Sequence, residues 1–261
     1  MLITISPSKG QDFDTPAPLN DFTLPEQLEN SLILNQHARQ LSVDDIRELM
    51  GVSEKIAKIN YHRFQDFSTP FNLANAKQAL FAFKGDVYTG ISAVQFSEED
   101  IYYAQDHLRM LSGLYGALRP LDLIQPYRLE MKTKLGNERG SNLYEFWGEV
   151  ITEQLNDALA GHKEKVLINL ASNEYFKAVK PKALKAKLLT VNFKEEKEGK
   201  VRIIAIFAKR ARGMMTDYII RHRIETVEGL KGFNIAGYQY SEAYSDDKQM
   251  TFIRPQPVKK S

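Results

Sequence analysis

Val166-Leu167-Ile168-Asn169-Leu170-Ala171-Ser172-Asn173-Glu174 is the stretch on which the fold turns. Its first five residues form a nearly continuous apolar run, too short for a helix and closed by small polar residues, which reads as a buried strand. Leu2-Ile3-Thr4-Ile5, broken by Ser6-Pro7-Ser8-Lys9-Gly10, reads the same way. Leu188–Phe193 and Val201–Ala208 predict a hairpin around Glu195–Gly199.

Helices are predicted between these runs. Thr23-Leu24-Pro25-Glu26 has capping-box spacing and opens a helix through Leu28, Leu32 and Leu34 to Leu41. Ser42, with Asp44 and Asp45, opens a second helix from Val43 to Met50, which Gly51 ends; Ser53 opens a third, to about Phe67. Asn75–Phe83 is predicted helical. Ser97 with Glu98, Glu99 and Asp100 caps a helix whose stripe is Ile101, Ala104, Leu108 and Leu111, ending at Gly113. Asn142 and Glu145 cap a long helix to Gly161, and Gly213–Arg223 is predicted helical. Residues 113–140 read as irregular. The expectation is a mixed α/β fold: a single compact domain over residues 1–250, with a helix-hairpin-helix subregion at about 43–67 and a basic cleft. Residues 251–261, with Pro255, Pro257, Lys259 and Lys260, read as a loose C-terminal tail.

The chain has 261 residues, 43% of them hydrophobic, and no cysteine. Absence of cysteine excludes disulfides, thiolate metal sites, iron–sulfur clusters and thiol-based peroxide reduction. No run approaches the ~18 apolar residues of a membrane span, and the short apolar opening is interrupted by Pro7 and Lys9, so a soluble cytoplasmic protein is expected. The net charge of +2 conceals an asymmetry. Residues 1–54 hold Lys9, Arg39 and Arg47 against nine acids, whereas residues 177–212 hold twelve Lys and Arg against Glu195, Glu196 and Glu198. A segment so basic suits a polyanionic partner; it also suits a solvated face.

Three groups of residues could grip phosphate. In Ile46-Arg47-Glu48-Leu49-Met50-Gly51-Val52-Ser53-Glu54-Lys55-Ile56-Ala57, two short helices meet at a hydrophobic–Gly–hydrophobic turn. Such a turn can aim backbone N–H groups at a phosphate beside the positive end of the second helix, with Ser53 and Lys55 adding contacts. An ordinary helical hairpin with a glycine cap has the same spacing, and Ser53 stands where the motif usually carries a second glycine. Next, Lys177, Lys180 and Lys182 follow the Val166–Leu170 strand, and Lys209, Arg210 and Arg212 follow the predicted Val201–Ala208 strand. Ligands of open α/β sheets gather beyond such strand ends. Third, Arg109, Arg119, Arg128, Lys132 and Lys134 lie near Tyr115 and Tyr127 in sequence. The five histidines show no metal-ligand spacing, and no Walker loop or nucleophile elbow occurs. Lys9, Lys84, Asp86 and Glu174, each past a predicted element end, could instead converge as acid–base groups for a phosphorylated substrate.

Several longer runs are more specific. Leu2 to Lys9, Phe81-Ala82-Phe83-Lys84-Gly85-Asp86-Val87-Tyr88-Thr89-Gly90, His107 to Gly116, Leu118 to Asp122, Gln125 to Met131, Asn169 to Ser172 and Ala208 to Gly213 resemble the YaaA family of bacterial peroxide-stress proteins. The resemblance covers residue 1 to about 240. It implies protection of the bacterial cytoplasm against hydrogen peroxide by limiting free iron and DNA damage. It also implies a mixed α/β fold whose helix-hairpin-helix and positively charged cleft bind DNA. On that implication the DNA-binding set is Gly51, Val52, Ser53 and Lys55 in the hairpin, with Lys9, Lys84, Arg109, Arg128, Lys132, Lys177, Lys209, Arg210 and Arg212 in the cleft. The expected partner is double-stranded or structurally distorted DNA. No cofactor, metal, membrane or protein partner is expected. An enzyme acting on a phosphorylated or nucleotide-like substrate in the same cleft is the alternative.

Overall fold

A computed structural model describes residues 1–257 of the chain. An eight-stranded sheet forms its centre, built from β1 (Leu2–Ile5), β2 (Leu108–Ser112), β3 (Gly116–Leu118), β4 (Val166–Asn169), β5 (Lys187–Lys197), β6 (Lys200–Arg202), β7 (Gln239–Tyr240) and β8 (Gln249–Pro255). The spatial order is β7-β8-β5-β4-β1-β2-β3, with β6 paired to β5. The five strands from β8 to β2 are parallel, and β3, β6 and β7 are antiparallel additions. Ile3 of β1 faces Leu108 on one side and Ile168 on the other. Every residue of β1, β2 and β4 is buried, as expected of parallel strands covered on both faces.

Eight helices matter for the site: α1 (Leu28–Arg39), α2 (Val43–Met50), α3 (Glu54–Asp66), α4 (Asp86–Ile91), α5 (Glu98–His107), α6 (Leu143–Trp147), α7 (Val150–Leu159) and α8 (Ala205–Arg221). Two short ribbons fasten the loops, Gly10–Gln11 against Phe83–Lys84 and Lys77–Gln78 against Leu123–Ile124. The chain is thus mixed α/β. Ser42 caps α2 in a complete capping box with Asp45, and Gly51 exits it in the left-handed region at φ 59°.

Several expected elements differ. Thr23 caps no helix: it bridges Asp122, donating its hydroxyl to Asp122 Oδ1 at 2.6 Å, and α1 begins only at Leu28. The predicted Asn75–Phe83 helix is reduced to one turn, Ala79–Ala82, between the two ribbons. The helix from Ser97 ends at His107, and Leu108 and Leu111 belong to β2, because an apolar stripe at helical spacing also fits a strand buried on both faces. Gly148, at φ 48°, splits the predicted long helix into α6 and α7.

Two corrections affect function. The predicted Val201–Ala208 strand stops at Arg202 and α8 starts at Ala205, so Lys209, Arg210 and Arg212 sit on a helix and not at a strand exit. The β-branched run Val201–Ile206 imitates a strand. The expected loose tail is also wrong for residues 251–255, because β8 pairs in parallel with β5 from Gln249↔Thr190 to Pro255↔Glu196. Met250, Thr251 and Phe252 are buried there, and Arg254 Nε lies 3.4 Å from the fully buried Glu195 carboxylate. Proline is tolerated at 255 because β7 pairs with β8 only at Phe252 and Ile253, which leaves this end of the strand an edge on that side. Lys259 and Lys260 lie outside the described residues.

Candidate functional site

The carboxyl ends of β1 and β4 lie side by side, and the loops leaving them are stitched together. The Ser172 amide donates to Ser6 Oγ at 2.8 Å, and Tyr88 of α4 donates its hydroxyl to the Ser6 carbonyl at 3.1 Å. Ser8 donates to the Lys84 carbonyl, and Gly10 pairs opposite Lys84. A side chain at Gly85 would come 2.8 Å from Ser8 Oγ, and Gly85 itself is at φ 130°, so glycine is required where the two loops touch. Lys9 and Lys84 therefore emerge beside one another from segments 75 residues apart.

Each of these lysines meets an acid. Lys84 Nζ lies 2.6 Å from Asp12 Oδ2, and this contact, followed by amide donation from Thr15, holds the buried Asp12 carboxyl well below the usual range. Glu130, whose side chain is only 10% exposed, is shared by three cations: it pairs with Lys9, with Arg128 Nη2 at 3.4 Å and with Lys132 Nζ at 3.8 Å. One carboxylate cannot neutralise three cations, and Lys9 and Lys132 keep 60% and 63% of their side-chain surface in solvent. Arg128 Nε is buried and has no hydrogen-bond partner among the described residues.

Lys177 reaches the same rim indirectly. The Lys132 amide donates to Glu174 Oε1 at 3.4 Å, Tyr144 donates to the Glu174 carbonyl at 2.9 Å, and Lys177 Nζ stands 5.0 Å from the Tyr144 ring centre. Burial pushes the phenols of Tyr88, Tyr127 and Tyr175 up, so all three are neutral near pH 7. The fold thus gathers Lys9, Lys84, Arg128, Lys132 and Lys177 into one cationic rim around Asp12, Glu130 and Glu174. Of the residues weighed for acid–base work, Lys9, Lys84 and Glu174 belong to this rim, and Asp86 is exposed in the first turn of α4.

Other expected residues stand apart. Lys209 and Arg210 are exposed on α8, which packs on α4 where Gly213 meets Gly90. Arg212 is half-buried, and burial pulls its pKa down. These three join the rim only through α4, whose first residue is two positions beyond Lys84. Arg109 does not belong to it. It is 7% exposed within β2 and donates through Nη1 to the carbonyls of Gln105 and Leu108, both at 2.9 Å. It lines a cavity with Met1, His107 and His162 at the amino ends of the strands, the far end of the sheet.

At the turn between α2 and α3, Ser53 Oγ accepts from the Ile56 amide at 3.4 Å, so the hydroxyl caps α3, while Gly51 and Lys55 are exposed and Val52 is half-buried. Asp44, Asp45, Glu48 and Glu54 crowd this hairpin; Glu54 pairs with Lys58 at 2.6 Å and Asp44 with Arg47 at 3.4 Å. Arg47 and Lys58 are thereby paired, whereas Lys55 makes no ion pair among the described residues. Between the hairpin and the rim lies a cavity of about 730 Å³. Among the described residues, no three His, Asp or Glu side chains gather closely enough to hold a metal ion, and no helix is long and apolar enough to cross a membrane.

Sequence reasoning missed Asp12 and Glu130 as the anchors of the rim. Asp12 has no local signal, because Lys84 arrives from 72 residues away; Glu130 has Arg128 and Lys132 two residues to either side, but Lys9, 121 residues distant, reaches it only through the fold. Comparison with protein families gives one finding: a family model described as peroxide stress protein YaaA matches residues 1–244.

Proposed function

Since the chain belongs to the peroxide stress protein YaaA family, which supports a role in the peroxide response, we propose that it serves that response by binding DNA along the rim of Lys9, Lys84, Arg128, Lys132 and Lys177. The observation that carries this reading is the surplus of cations around Glu130: three positive groups share one nearly buried carboxylate, and two of them face solvent. The carboxylate holds the cations in place without cancelling them, which favours recruitment of an external polyanion. Lysine-dominated contacts address phosphates and not base edges, so binding is directed to the backbone and weakly sequence-specific. In the bacterial cytoplasm such binding limits oxidative damage to DNA and the harm done by free iron. Without cysteine, the chain does not reduce peroxide through a sulfenate.

A second reading draws on the Lys84–Asp12 pair, which sits in the crevice beyond parallel strand ends where α/β enzymes bind ligands. There Lys84 would act on a phosphorylated or nucleotide-like substrate. Fluorescence anisotropy with labelled duplex DNA separates the two. On the DNA reading Lys84→Arg retains binding, because charge suffices, while Lys9→Gln combined with Lys132→Gln weakens it for every sequence. Unchanged affinity in that double variant would refute the rim.

A further inference from the structure

At the amino ends of the strands, a cavity of about 430 Å³ holds positive charge that the protein itself does not balance. Arg109, which lines it, is 7% exposed and uses Nη1 for the carbonyls of Gln105 and Leu108. Among the described residues it makes no ion pair and no hydrogen bond through Nε or Nη2. The surrounding acids are engaged elsewhere. Glu26 and Asp122 pair with Arg119 at 3.5 and 2.9 Å, and Glu225, in the lining, pairs with Lys163 at 3.5 Å. Asp106, also in the lining, is exposed, so water screens it. The Met1 ammonium brings a second positive charge and donates to His162 Nδ1 at 3.2 Å. His107 donates Nδ1 to the Tyr103 carbonyl at 2.9 Å, which leaves its Nε2 for a ligand. A guanidinium does not deprotonate in a protein, so burying it without a counterion costs stability that an anion in the cavity would offset.

We propose that this cavity binds a small phosphorylated metabolite by its phosphate, with Arg109 as the principal contact, at a site separate from the cationic rim. Chemistry and access select that ligand. Nε–H and Nη2–H lie on one edge of the guanidinium and point in parallel, so together they match two oxygens of a single oxyanion. Two positive charges, from Arg109 and the Met1 ammonium, suit a dianionic phosphate better than a single carboxylate, and they repel a metal cation. Burial excludes a polynucleotide, because an arginine 7% exposed does not reach a duplex backbone, and the cavity lies at the end of the sheet opposite Lys9 and Lys84. The volume falls within the range of roughly 300–1,000 Å³ typical of small-ligand sites, which leaves space for an organic group beside the phosphate. His107 Nε2 adds a partner for a phosphate hydroxyl, since it accepts the proton that the hydroxyl donates.

The histidines report on the site. Imidazole resonances of the full chain are followed by NMR while inorganic phosphate is added at fixed pH, with ionic strength held constant by chloride. The expected result is a saturable shift of His107 and His162 with half-saturation near about 1 mM, and no comparable shift with succinate. His37 lines the cavity beside the rim and marks binding there. Arg109→Met should weaken the response about tenfold. Because Arg109 also holds the end of α5, a second variant avoids the core: Gly161 lines the cavity, is exposed, and a Cβ on it meets nothing within 4 Å. Gly161→Glu sets a carboxylate at the lining and should weaken phosphate binding by a similar factor, with duplex-DNA affinity unchanged. A shift of His37 without His107 and His162, an equal response to succinate, or undiminished binding in Gly161→Glu overturns the proposal. Loss of duplex-DNA affinity in Gly161→Glu overturns the separateness of the two sites.

Discussion

Gly213 and Gly90 leave no room for a side chain on either: a Cβ on Gly213 would fall 2.9 Å from Gly90 Cα and closer still to the Val87 carbonyl oxygen. This contact is why a glycine sits in the interior of α8 despite its poor helix propensity, and it docks the Lys209–Arg212 segment on α4. Gly213→Ala is expected to destabilise the fold by about 3 kcal/mol, since backbone would have to move. Gly161→Ala, where a Cβ meets nothing within 4 Å, should fall within about 0.5 kcal/mol of wild type. Urea unfolding of the two variants checks the contrast.

The β8 strand makes a second prediction. Arg254 stands 4.3 Å from the Tyr238 ring centre and 5.0 Å from that of Phe207, beside the fully buried Glu195, which also accepts the Tyr238 hydroxyl. Arg254→Ala leaves Glu195 without its cation, and about 3 kcal/mol of stability should be lost. A loss below about 0.5 kcal/mol in urea unfolding would mean that β8 is not integral to the sheet.

How much could be read beforehand follows from where the signals lie. Val166–Leu170 and Leu2–Ile5 announce buried strands, and Ser42, Gly51 and Ser53 bound their helices, because both kinds of signal are local. Ile203 to Ile206 and Leu108 to Leu111 misled, since hydrophobicity says that a residue is inside but not whether its period is two or 3.6. Met250 to Ile253 was overlooked between charged and proline residues, although its pairing with β5 supplies the context. Of the site, Lys9, Lys84, Arg128, Lys132 and Lys177 are legible as basic residues, but the contacts that bring them near one another are tertiary and have no local signal. Arg109 was not distinguishable from them, since nothing local says that its guanidinium caps the end of its own preceding helix.

His162 gives a pH prediction. Burial, the neighbouring Met1 amino group and His107 together lower its pKa from 6.5 to about 4. The native state thus takes up fewer protons than the unfolded one in this window, so the stabilising contribution is complete above pH 6.5 and disappears as pH falls toward 4. For a half-buried ring partly screened by solvent, about 1 kcal/mol is at stake. His162→Asn should flatten the fall in unfolding midpoint across that window; an unchanged acid limb would contradict it.

The hairpin should matter less to DNA than the rim does. Lys55 sits on a hairpin that also carries Asp44, Asp45, Glu48 and Glu54, whereas Lys132 belongs to a cluster with excess positive charge. Lys132→Gln should reduce the salt slope of DNA binding by about 0.9 and Lys55→Gln by much less. Ser53→Ala, which removes the α3 cap, should cost about 1 kcal/mol of stability and little affinity.

The central claim is that Lys9, Arg128 and Lys132, arranged around Glu130, form one surface for a nucleic-acid backbone. Its most direct test is duplex-DNA affinity between 50 and 200 mM salt for the wild-type protein and for Lys9→Gln/Arg128→Gln/Lys132→Gln, with circular dichroism confirming that both are folded. The predicted slope of log affinity on log salt is about −5 for wild type and about −2 for the triple variant. Identical slopes and affinities for the two proteins would contradict it.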